Sequence, residues 1–69
     1  MLHFEAEFPE NTDHKNLYEL LKPYKLNVTE MIFITFVYGD VDVKDIEKVI
    51  NICYAFDVSV LHICKRADG

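Results

Sequence analysis

Long apolar runs are missing from this chain. The longest covers residues 31–38 and is broken by Thr35, far short of the roughly 18 residues that cross a bilayer. Residues 1–8 alternate apolar and polar, unlike the basic end and continuous apolar stretch of a secretory signal. A soluble, cytoplasmic protein without a membrane partner is expected.

Glycine is almost absent, with Gly39 and Gly69 alone. Phosphate-cradling loops need successive close-approaching backbone amides, which glycine supplies, so backbone cradling of phosphates is not expected. Cysteine is limited to Cys53 and Cys64. They form no Cys-x-x-Cys pair, and a disulfide framework normally brings four or more cysteines with a secretory signal. Both lie in apolar stretches and are expected to be reduced, buried thiols. Cations are in deficit as well, with seven Lys and Arg against twelve Asp and Glu and a net charge of −5. Direct nucleic-acid binding needs clustered cations, and the adjacent pair Lys65 and Arg66 reads as part of a polar tail. No nucleophile elbow is present, so no catalytic residue is assigned and an enzyme is not the favoured reading.

What remains is one small domain. The chain has 69 residues, 51% of them hydrophobic, which fits a globular unit over residues 1–65 with a polar C-terminal tail at 66–69. A domain this small buries a modest share of its surface, so it has little apolar surface to leave exposed without purpose.

Residues 2–8 read as a half-buried strand, with Leu2, Phe4, Ala6 and Phe8 on one side and His3, Glu5 and Glu7 on the other. Pro9 ends it. A helix is expected over residues 12–22, with Leu17, Leu20, Leu21 and Tyr24 on one stripe and Pro23 stopping it. Residues 26–38 carry the strongest strand signal, β-branched and aromatic on both faces from Met31 onward. Residues 26–29 are more polar, consistent with a separate short strand. Gly39 and Asp40 then read as a turn into a second helix over 43–56, capped by Asp42 and apolar at Val43, Ile46, Val49, Ile50, Cys53 and Phe56. A last strand is expected over 58–64.

The fold class is therefore α/β or α+β, a small two-layer sandwich with two helices on one face of the sheet. The order is β-α-β-α-β, with a β-α-β-β-α-β, ferredoxin-like alternative. In the three-strand version the half-polar first strand is the outer one and residues 31–38 run through the centre. Either version leaves one sheet face without helices.

Candidate chemistry is sparse. Glu5 and Glu7, with His3, share a strand face at about 7 Å spacing. Acid–base or metal roles are conceivable, but a solvated edge strand is the simpler reading. His62 and Cys64 share a side of the last strand, yet zinc sites take three or four ligands at recognisable spacing. Asp40, Asp42, Asp45 and Glu47 cluster where acids complement a helix N-terminus. Asn27-Val28-Thr29 matches a glycosylation sequon, which carries meaning only on a secretory route. No cofactor or metal is assigned.

The reading that follows is a small non-enzymatic interaction or regulatory module. It acts through the helix-free apolar sheet face, with Met31, Phe33, Val37, Glu5 and Glu7 as partner-binding candidates. The partner is a second copy, giving a homodimer, or another protein. An acidic inhibitor or decoy occupying a basic site, and a small-molecule-sensing domain, are the alternatives.

Overall fold

The computed structural model describes residues 1–65 of the chain; the polar tail assigned to residues 66–69 lies outside the described residues. Strand β1 (Leu2–Pro9) leads through α1 (His14–Leu21) and a 3-10 turn (Lys22–Tyr24) to β2 (Asn27–Glu30). Strand β3 (Ile34–Val41), a 3-10 turn (Val43–Asp45), α2 (Ile46–Ala55) and β4 (Val60–Lys65) follow. The protein is α+β, and its β-α-β-β-α-β order is that of the six-element alternative.

The four strands form one sheet in the order β2-β3-β1-β4, and each neighbouring pair is antiparallel. The three-strand parallel arrangement is thereby corrected. So is the placement of β1 at the edge: it is hydrogen-bonded to β3 on one side and to β4 on the other. Its polar alternate residues mark an uncovered face, not an unpaired edge. Strands β2 and β4 are the edges.

Local chemistry accounts for the elements. Asp13 caps α1, its carboxylate accepting from the Asn16 amide at 3.2 Å, as an N-cap side chain does for an otherwise unsatisfied donor. Asp42 does the same for the turn into α2, accepting from the Lys44 amide at 3.4 Å. Leu17 and Leu21 of α1 and Val49 and Cys53 of α2 are buried against Phe4, Ala6, Phe8, Val37 and Val41 of the sheet. Both helices thus cover one sheet face. Leu20, expected on the buried stripe, is exposed, as is Val43; the buried stripe of α1 is narrower than its leucines suggest.

Gly39 and Asp40 belong to β3 and do not turn the chain. The strand continues to Val41, where Leu2 pairs with it. The connection between β2 and β3 is tighter than the apolar sequence suggests. Met31 N–H donates to the Ile34 carbonyl at 2.8 Å, so Ile32 and Phe33 alone form the loop of a two-residue hairpin.

Candidate functional site

Antiparallel pairing sorts every strand residue to one of two faces. Phe4, Ala6 and Phe8 of β1 align with Gly39, Val37 and Thr35 of β3, and these rows lie under the helices. The alternate rows make the helix-free face. Glu7 sits between Phe36 and Val60, Glu5 between Tyr38 and His62, and His3 between Asp40 and Cys64. Thr29 and Asn27 extend the first two rows into β2.

The face is graded. Its hairpin end is apolar: Ile34 leads into Met31, Ile32 and Phe33, which are 52%, 84% and 75% exposed. They curl with Thr29 and Glu30 around an open hollow of about 630 Å³. The middle carries a stacked aromatic pair, Phe36 and Tyr38, with ring centroids 5.5 Å apart and planes inclined by 26°. Beside it stand Glu7 and Glu5. The far end is polar, with His3 bridging two carboxylates: Nε2 lies 2.6 Å from Glu5 Oε2 and Nδ1 3.6 Å from Asp40 Oδ1. These carboxylates, with the hydrogen bond that Glu5 accepts from the ring foremost, hold the His3 pKa above its usual 6.5.

Of the residues singled out from the sequence, Met31 and Phe33 are exposed at the hairpin. Glu5 and Glu7 are half-buried on the helix-free face. Val37 is different. It is fully buried between the sheet and the helices, so it is a core residue and leaves the set. The helix-free side of β3 is carried by Ile34, Phe36 and Tyr38, and a one-residue change of register separates the two sets. Met31 and Phe33 lie in the connection, outside the strand ladder, where strand parity does not apply. The hairpin was hidden because Ile-Phe lacks the Asn-Gly or Asp-Gly signature of such loops.

Cys64 is a second correction. It is exposed on the helix-free face, while Cys53 is buried and its thiol pKa is pushed up to about 12 by desolvation. His3 and Cys64 are cross-strand partners, an arrangement that invites thought of a nucleophile and base. Both His3 ring nitrogens, however, face carboxylates, so the imidazole is not turned toward the thiol. Among the described residues no group of three or more His, Cys, Asp and Glu is placed to hold a metal ion. Asp42 caps a helical turn, as its position at the helix start suggests. A second hollow, of about 540 Å³, lies where Pro9, Thr12 and Asp13 meet Phe56 and Asp57; Asp13 is already engaged there as a cap.

Compared with protein-family models, with curated proteins and with solved structures, the chain finds no significant match. No helix among the described residues is long and apolar enough to cross a membrane.

Proposed function

We propose that this protein is a small, non-enzymatic interaction module that works through the helix-free sheet face and the hairpin adjoining it, and that it self-associates through the hairpin. One observation carries the reading. A two-residue hairpin loop is where turn chemistry favours Asn and Gly, yet Ile32 and Phe33 occupy it and stand in solvent beside Met31. Departures from local folding preference concentrate at functional positions, and contiguous exposed apolar surface marks interaction sites.

The hairpin end suits a second copy better than the middle of the face does. Two-fold pairing is the commonest arrangement of soluble oligomers, and it sets like against like. Hairpin on hairpin buries Met31, Ile32, Phe33 and Ile34 against one another. Full face on face would also set Glu5 and Glu7 near their own copies, and like charges in juxtaposition cost several kcal/mol. The patch is small, so the dimer is expected at micromolar concentrations and above, as for weak interfaces.

Sedimentation or light scattering over a concentration series tests this. Ile32→Glu or Phe33→Glu should yield a monomer whose circular dichroism is that of the parent, because neither side chain is in the core. A parent protein that stays monomeric and soluble at high concentration would overturn self-association. The acidic-decoy alternative draws support from the carboxylates on the same face.

A further inference from the structure

The middle of the helix-free face has a repeat built into its register. Glu7 is directly opposite Phe36, and Glu5 directly opposite Tyr38. Directly opposed residues of an antiparallel pair have β-carbons about 4.5–5.5 Å apart, so each glutamate leaves the sheet beside an aromatic residue. Successive rows on one face are about 7 Å apart. The result is two aromatic–carboxylate pairs, one strand repeat apart, in an interior part of the sheet whose position is set by hydrogen bonding on both sides.

The charge on this face is one-sided. Glu5, Glu7 and Asp40 are the carboxylates. Among the described residues no Lys or Arg belongs to it, since Lys65 pairs with Leu2 in the alternate, helix-covered register. The imidazoles of His3 and His62 are the basic groups present. Glu5 is engaged by His3 at 2.6 Å, but a carboxylate offers about four acceptor positions, so that contact does not exhaust it.

We infer that this face docks an extended basic segment of another protein, with Arg or Lys at alternate positions whose charged heads pair with Glu5 and Glu7 while their stems lie along Phe36 and Tyr38. The inference rests on the docking reading of the face and names the class of partner. Three features select this occupant. An extended chain places residues i and i+2 on one side about 7 Å apart, the same repeat as the two pairs. Lys and Arg are the side chains that lay an apolar stem on apolar surface and carry a cation at the tip. The same face of a second copy would bring the same carboxylates and, among the described residues, no Lys or Arg to meet them.

The probe is a fluorescent synthetic peptide of alternating arginine and threonine, followed by fluorescence anisotropy at low salt. The intact protein should bind it saturably, and added salt should weaken binding as exposed charge pairs are screened. Glu5→Gln combined with Glu7→Gln removes two charge-assisted contacts and should weaken binding by about tenfold or more. Phe36→Ser should weaken it as well. Glu47→Gln, on the exposed surface of α2, should leave it unchanged. Circular dichroism confirms that each variant is folded. No binding by the parent overturns the inference, and so does an equal loss in Glu47→Gln, which would mean attraction to overall negative charge. If the peptide fails to bind while Phe33→Glu still abolishes self-association, the cationic occupant falls and the interaction reading stands.

Discussion

Leu26 lies against the bare backbone of Gly39: a β-carbon there would come within 2.9 Å of Leu26 Cδ2 and 3.6 Å of its Cα. Leu26 is buried just ahead of β2, and Gly39 sits within β3 at φ +153°. The absent side chain lets the approach to β2 close over the sheet. Gly39→Ala should therefore destabilise the protein by about 1–3 kcal/mol, through overpacking and backbone strain. Leu26→Ala alone should cost about 2–5 kcal/mol. The double variant, measured by urea unfolding, should lose less than the sum, because removing Cδ2 relieves the clash. Strict additivity would show that the two residues do not meet in this way.

Val37 and Phe33 are four residues apart and energetically opposite. Val37→Ala removes fully buried side-chain volume and should cost about 2 kcal/mol or more, from lost burial plus the cavity left behind. Phe33→Ala touches no core contact and should stay within about 0.5 kcal/mol, while reducing self-association. Comparable losses of stability in both variants would contradict the assigned burial.

His3 makes stability depend on pH. Its folded-state pKa is raised above 6.5 by Glu5 and Asp40, so the folded state binds the proton more tightly than the unfolded chain does. The stabilisation is fully present below about pH 6.5 and is lost as pH rises through the raised folded value. A proton NMR titration should place the His3 transition above 6.5 and show it falling toward that value in Glu5→Gln. The stability difference between the parent and His3→Gln should shrink across the same window. A difference that is constant with pH would remove His3 from the account.

The two thiols should separate cleanly. Cys64 is exposed and should react with a thiol reagent in the folded protein, whereas Cys53 is buried. Its thiol pKa near 12 leaves almost no nucleophilic thiolate at neutral pH. Cys53 should label only after unfolding in guanidinium. Rapid modification of both cysteines in the Cys64-containing parent, or of Cys53 in a Cys64→Ser variant, would show that the α2 side of the core is open.

Much of the architecture is written in local periodicity. The alternation of Phe4, Ala6 and Phe8 with His3, Glu5 and Glu7 determines that β1 has one wet and one dry face, because successive strand residues point opposite ways. The helical spacing of Leu17 with Leu21 and of Val49 with Cys53 likewise identifies the buried stripes, and Asp42 announces the start of the second helical segment. None of this requires knowledge of the partner elements.

Pairing is a different matter, because it joins residues distant in the chain. Whether β1 is an edge or an interior strand depends on what hydrogen-bonds to its two sides, and β3 and β4 supply that from residues 34–41 and 60–65. Whether Val37 or Phe36 meets the helices depends on register, which the apolar residues on both faces of β3 leave ambiguous. The Ile32-Phe33 hairpin carries no turn signal of its own; the ladder on either side of it closes the loop. Cys64 resembles Cys53 in its apolar neighbours, but β4 is an edge strand and, among the described residues, no layer covers its outward row. The tertiary structure alone brought Glu7 beside Phe36 and Glu5 beside Tyr38, since that juxtaposition exists only once two strands about thirty residues apart in sequence have paired in one register.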